Sequence, residues 1–214
     1  MDFSLETIVL AAVPVVFAIT LHEAAHGYVA RMFGDQTAWM LGRVTLNPLK
    51  HIDPIGTVLV PGVLLLTGVP FVFGWAKPVP VNFANLRRPK RDMIWVAGAG
   101  PAVNFAMALF WVLLQAAAAP GAFLASNGLW QMAQFGIIVN LVLMALNLLP
   151  IPPLDGGRIA VGMLPRSASH ALSRIEPYGF FIILALLVVP GAMSAILGPM
   201  VGAARSLIRM VTGL

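Results

Sequence analysis

The chain has 214 residues, 59% of them hydrophobic and only 10% charged, with a mean hydropathy of +0.90. A water-soluble domain carries about 25% charged residues, so this composition excludes one, and the absence of cysteine excludes disulfides, thiolate metal ligands and a cysteine nucleophile. The net charge of +5 points to a membrane surface before nucleic acid, because residues 93–154 and 177–204 contain no Asp, Glu, Lys or Arg.

In chain order, "MDFSLETIV" carries acidic residues and no basic n-region, so it reads as the start of the mature fold rather than as a signal peptide. Residues 5–33 predict a first membrane helix in which Pro14 is tolerated. The polar stretch after it, "GDQTAWMLGRVTLNPLKHID", has turn and strand character. Residues 54–76 are apolar but broken by Pro54, Gly56, Pro61, Gly62, Gly68 and Pro70. In "KPVPVNFANLRRPKRD", the alternating valines and prolines suggest an extended strand and turn. Helices are expected over residues 93–119 and 129–149. "PIPPLDGGR" interrupts the pattern, and a last apolar stretch, residues 177–204, carries kinks near Pro190 and Pro199.

Charge placement gives an expected topology. Lys77, Arg87, Arg88, Lys90 and Arg91 put residues 77–92 on the cytoplasmic side, and Arg43 and Lys50 put the loop after the first helix there too. Residues 54–76 then return to the side they left and form a re-entrant segment. Arg205 and Arg209 fit this scheme poorly unless the C-terminal tail turns back along an interface. The expected fold is a polytopic α-helical membrane protein. It has four to six membrane segments, including the re-entrant one and short membrane-associated β-strands, in one domain over residues 1–214 with a catalytic core at about 5–158.

Within the first helix, "LHEAAHGY" sets His22 and His26 four residues apart, about 40° apart on one helical face. Two imidazoles so placed can share one Zn²⁺, and Glu23 beside them can act as general base in the H-E-x-x-H arrangement of zinc peptidases. Three ionisable groups on one turn of a membrane helix are costly to insert, which argues against simple packing. Gly27 would let another backbone come close. From Leu5 to His22, 17 residues at about 1.5 Å each span roughly 25 Å, so the site lies within the bilayer, nearer the cytoplasmic side. Zinc enzymes usually supply three protein ligands. His51, His170 and Asp155 are candidates for the third. Asp155 stands out because it ends a long charge-free region before Gly156 and Gly157, although it could instead cap the next short helix.

"HEAAH" together with "NLLPIPPLDGG" resembles the site-2 protease family of intramembrane zinc metalloproteases, in which H-E-x-x-H is paired with N-x-x-P-x-x-x-x-D-G on a later helix. Here the second motif reads Asn147, Pro150, Asp155, Gly156. "GAGPAVN", "GRVTLNPLKHIDPIG" and "GWAKPVPVN" are similar to elements of the compact branch that lacks a PDZ domain. The resemblance spans residues 5–158 and implies one Zn²⁺ per chain, with His22, His26 and Asp155 as ligands and Glu23 as catalytic base. It also implies that Asn147 stabilises the developing oxyanion or positions substrate.

Asn104 reads as an interhelical hydrogen bond, with Gly98 and Gly100 allowing close helix approach, and His51 as either a group supporting the ligands or substrate or an interfacial loop histidine. The expected activity is cleavage of peptide bonds within or near transmembrane segments of membrane-protein substrates, in the plasma membrane of a prokaryote, as in regulated intramembrane proteolysis. The unwound substrate would add as a strand to "KPVPVNF". Transmembrane protein or peptide and membrane lipid are the expected partners, and nucleic acid is not. The alternative is a zinc-binding membrane scaffold or transporter. A scaffold has no need of Glu23, and no further acidic or histidine path follows Asp155.

Overall fold

The structure, a computed structural model, describes residues 5–67 and 74–214. Part of the expected re-entrant segment, residues 68–73, and the acidic Asp2 lie outside the described residues. Helices α1 (Leu5–Met32), α4 (Pro89–Ala118) and α5 (Asn127–Asn147) are long and apolar enough to cross a membrane. Phe17, Phe110 and Leu113 are more than half exposed on these helices, as side chains facing lipid would be. The protein is therefore a polytopic helical membrane protein.

Local chemistry sets the boundaries. Pro89 occupies the first position of α4, where the missing N–H is no loss, and the Asp92 carboxylate accepts from the Arg88 N–H at 2.8 Å. The Ser126 hydroxyl caps α5. Before α3 (Val60–Thr67), a π-type turn over Pro54–Leu59 is capped by Asp53, which accepts from the N–H groups of Ile55 and Gly56. This apolar helical unit, Pro54–Thr67, is too short to cross a bilayer.

The three long helices pack on one another through small and polar residues. Gly136 of α5 meets the Trp111 ring of α4 so closely that any side chain there would overlap it. Asn104 of α4 donates to Asn140 Oδ1 of α5 at 2.9 Å, and both side chains are fully buried. The chain then turns through Pro152–Pro153 into α6 (Asp155–Met163), which packs on α4. Gly156 and Gly157 lie directly on the backbone of Leu148 and Pro152, so only glycine fits at either position.

Short helix α2 (Thr37–Met40) follows α1, and α7 (Arg166–Ser173) and α8 (Glu176–Val188) follow α6; α7 and α8 meet at 62°. Gly191, at φ +78°, then starts α9 (Ala192–Thr212). The expected break near Pro190 is present, whereas α9 runs through Pro199 as one helix. Leu197 packs with Ala145 and Leu149, and Ala204 and Ile208 pack with Ala133 and Ile137. Helix α9 is therefore antiparallel to α5 and lies beside it. Among the described residues no strand is present. Residues 74–82 have no regular structure, so the strand expected over "KPVPVNF" has no sheet partner.

Candidate metal centre and active site

Where α1, α4 and α6 meet, His22 Nε2, His26 Nε2 and Asp155 Oδ2 face one another. The separations are 3.0 Å between the two nitrogens and 3.2 and 3.4 Å from them to the carboxylate oxygen. The edge of a ligand tetrahedron with zinc bonds of about 2.0–2.1 Å is about 3.3–3.4 Å. The spacing therefore suits one small tetrahedral cation.

The hydrogen-bond chemistry makes the same demand. His22 Nδ1 lies 2.6 Å from Asn104 Oδ1, and His26 Nδ1 lies 2.7 Å from the Val96 carbonyl. Both partners only accept, so each Nδ1 carries the proton and, in the neutral ring, each Nε2 presents a lone pair. Asp155 Oδ2 is buried and has no hydrogen-bond donor. Three lone pairs thus converge at close range. A single added proton would satisfy one pair and leave the third group facing an acceptor, whereas a divalent cation satisfies all three.

Gly100 leaves the room for this arrangement. A Cβ there would lie 2.5 Å from His22 Cε1 and from His26 Nε2. His22, His26 and Asp155 form the one group among the described residues whose histidine and carboxylate ligand atoms could hold a metal ion. Donor set, spacing and the open face at Gly100 all fit zinc.

The tautomer of His22 is fixed from a distance. Asn140 Nδ2 donates to the Gly136 carbonyl at 2.8 Å, Asn104 Nδ2 donates to Asn140 Oδ1, and Asn104 Oδ1 is thereby left facing His22. Asn104 does join helices, as expected, and it also orients a candidate ligand. From the sequence, Asn104 has only an interhelical role and Gly100 only that of letting helices come close, while Asn140 and the Val96 carbonyl have none. Only the polar side chains of Asn104 and Asn140 in a charge-free stretch could have signalled them.

Glu23 lines the same cavity of about 520 Å³ but stands outside the ligand cluster. Its Oε2 accepts from the Val79 N–H at 2.6 Å. Val79 is held there by neighbours of α1: its side chain would lie 3.0 Å from a Cβ at Gly27, so Gly27 admits a side chain rather than the backbone anticipated. Asp35, fully buried just after α1, accepts from the N–H and hydroxyl of Thr37, the Asn82 N–H and Asn85 Nδ2. Burial pushes its carboxyl up, but the donors from Thr37, Asn82 and Asn85 outweigh that and hold it below the usual carboxylate range. Asp35 thus ties the end of α1 to residues 82–85 and so fixes the segment that meets Glu23.

Asn147 also lines the cavity, with Nδ2 donating to the Leu143 carbonyl at 3.0 Å. Phe180 and Ile183 of α8 close another side, although residues after 158 carried no recognisable motif. The other two histidines lie elsewhere. His51 is buried with Nε2 3.0 Å from the Thr45 carbonyl, and its own carbonyl accepts from the Lys77 N–H. His170 is exposed on α7.

A membrane-helix bundle that buries H-E-x-x-H beside an aspartate has the architecture of a membrane zinc metalloprotease. The sequence profile of Peptidase family M50 matches residues 114–190, which include Asn147 and Asp155. The Bacillus subtilis protein named "Putative zinc metalloprotease YwhC" is 42% identical over 197 residues, which cover 90% of this chain and 86% of that protein. "Putative zinc metalloprotease Rip2" of Mycolicibacterium smegmatis is 30% identical over 174 residues, and the match spans 81% of this chain but only 64% of Rip2. "Putative zinc metalloprotease MJ0611" of Methanocaldococcus jannaschii is 27% identical over 161 residues, covering 74% of this chain and 72% of that protein. No solved structure matches the chain. The chain belongs to peptidase family M50, the site-2 protease family, and is a zinc-dependent protease.

Proposed function

We propose that this protein hydrolyses peptide bonds within or near transmembrane segments of membrane-protein substrates, with one zinc ion held by His22, His26 and Asp155. The observation that carries this reading is the convergence of three donor-free lone pairs beside a separate carboxylate, Glu23, in one cavity.

Zinc, when bound, supplies a Lewis acid that polarises the scissile carbonyl and acidifies water. Glu23 keeps one carboxylate oxygen against the Val79 N–H and has the other free to take a proton from attacking water. It then passes that proton to the departing amine. Asn147 spends one amide proton on the Leu143 carbonyl and keeps a second for the developing oxyanion. Trp75 and Phe180, whose rings meet edge to face at 6.2 Å, flank the cavity and limit water entry.

A helical substrate must unwind before its carbonyl is accessible, which frees its backbone groups. The Val79 carbonyl and both backbone groups of Val81 make no hydrogen bond among the described residues, and both residues line the cavity. These free groups support pairing with an extended substrate even though residues 74–82 have no sheet partner of their own. The short Pro54–Thr67 unit, docked on Trp75 through Gly56, supports the re-entrant reading and a route for substrate entry. Among the Lys and Arg residues, only Arg205 and Arg209 sit at the end of the bundle remote from the site. That asymmetry supports a site nearer the cytoplasm, and the bacterial and archaeal relatives support the plasma membrane of a prokaryote.

The decisive experiment measures zinc content and cleavage of single-span peptides for wild type, Glu23→Ala and Asp155→Ala. Glu23→Ala should keep zinc and lose cleavage, while Asp155→Ala should lose both. Full cleavage by Glu23→Ala overturns the mechanism. A zinc-free, active wild type overturns the metal site.

A further inference from the structure

A second cavity, of about 360 Å³, lies at the end of the bundle remote from the zinc site, between the C-terminal end of α4, the N-terminal end of α5 and the last turns of α9. Its polar lining is Arg205 and Arg209 from α9, Gln115 from α4, and Gln134 and Trp130 from α5. The two arginines are four residues apart and so share one face of α9. No carboxylate side chain lines the cavity, and no ion pair or side-chain hydrogen bond among the described residues engages Arg205, Arg209, Gln115 or Gln134. Arg158 and Glu176, at the other end, show how this chain pairs an arginine when it supplies the partner, at 2.8 Å.

Both arginines are exposed at the rim of the cavity, which Leu214 also lines. Ile208, between the arginines in sequence, is buried against Ile137, Ala133 and Trp111, so the arginine-bearing turns are packed on the bundle. Two guanidinium groups at the end of a membrane helix are costly unless they meet an anion or water. An arginine fork suits the planar pair of oxygens of a phosphate. The two glutamine amides add donors, and a tryptophan at the same level is typical of the membrane interface. Immediately below, Val112, Ile137 and Ile138 line the cavity with apolar surface, as an acyl chain would require.

We propose that this cavity binds the phosphate group of an anionic glycerophospholipid, with Arg205 and Arg209 on the phosphate oxygens and the acyl chains against α4 and α5. The lipid would hold α9 against α5 and stabilise the bundle from the end opposite the chemistry.

The test uses the full chain in a non-ionic detergent, with native mass spectrometry counting retained dioleoylphosphatidylglycerol. Dioleoylglycerol, glycerol 3-phosphate and inorganic phosphate serve as comparison arms. Wild type should retain one phosphatidylglycerol, and dioleoylglycerol should not replace it. Losing a charge-assisted contact should weaken retention by about tenfold per arginine, so Arg205→Gln/Arg209→Gln should lose it, with zinc content unchanged as the sign of an intact fold. Gln134→Leu, which keeps both charges, should weaken retention more mildly and covers the case in which the double variant does not fold. Equal retention by the double variant and wild type overturns the site. Equal binding of dioleoylglycerol overturns the phosphate contact, and displacement by inorganic phosphate at matched concentration overturns the lipid in favour of free phosphate.

Discussion

Replacing Gly100 by alanine puts one methyl group where the candidate ligands converge. The new Cβ would stand 2.5 Å from His22 Cε1, 2.5 Å from His26 Nε2 and 2.6 Å from His22 Nε2. Carbon atoms in contact prefer about 3.5–4.0 Å, so each ring must withdraw by roughly 1 Å. Metal ligands keep their distances to within about 0.2 Å; displacement on that scale removes at least one nitrogen from the set. Gly98, half a turn away on the same helix, is the matched control, because a Cβ there meets nothing within 4 Å. Gly98→Ala should leave zinc and cleavage intact and stabilise α4 by about 0.5–1 kcal/mol through helix propensity. Zinc affinity, read by chelator competition in detergent, should fall at least tenfold for Gly100→Ala and stay level for Gly98→Ala. Equal zinc affinity in Gly100→Ala and wild type would refute the placement of the metal against α4. An equal fall in both variants would assign the effect to helix packing instead.

Asn104→Leu removes the acceptor that fixes the His22 tautomer; outer partners of metal-bound histidines are worth about 10–100-fold in affinity, and chelator competition should read a loss of that size. Replacing residues 78–82 by a Gly/Ser linker should abolish cleavage of single-span peptides while zinc content persists, and unchanged cleavage would refute strand pairing there. Asp35 has a folded-state pKa below its unfolded value, so it stabilises the fold above the unfolded pKa of about 3.9 and loses that contribution as pH falls through the folded value. The difference in thermal unfolding between wild type and Asp35→Asn should therefore be constant near neutrality and shrink in acid, below about pH 4; a difference independent of pH refutes the assignment.

Periodicity and local spacing carried much of this structure. The expected helices at 5–33, 93–119 and 129–149 appear as Leu5–Met32, Pro89–Ala118 and Asn127–Asn147, because long charge-free runs leave a membrane chain little alternative. The pair His22 and His26 was visible because both ligands lie on one turn. Asp155, 129 residues on from His26, was visible because a lone carboxylate ending an apolar run is conspicuous. Contacts across the bundle left no such trace. Nothing local says that Asp35 will collect donors from Thr37, Asn82 and Asn85, or that α8 will wall the cavity with Phe180. Arg205 and Arg209 fit the charge scheme poorly unless the tail turns back along an interface; the structure shows no such turn, and α9 runs beside α5 and carries both arginines to the end remote from the site.

The asparagine relay explains why two neutral amides accompany the ionisable cluster in the centre of the bundle. An isolated amide can rotate and offer either oxygen or nitrogen to a histidine, so by itself it does not choose a tautomer. The Gly136 carbonyl can only accept, and this single constraint orients Asn140, which in turn orients Asn104. Asn104 must then present oxygen to His22 Nδ1, and the lone pair appears on Nε2, the atom that faces His26 and Asp155. A backbone carbonyl on α5 thus fixes the protonation of a candidate ligand on α1 through two neutral amides. Burying both asparagines is the condition for that control, because water at either would offer the amide a second orientation.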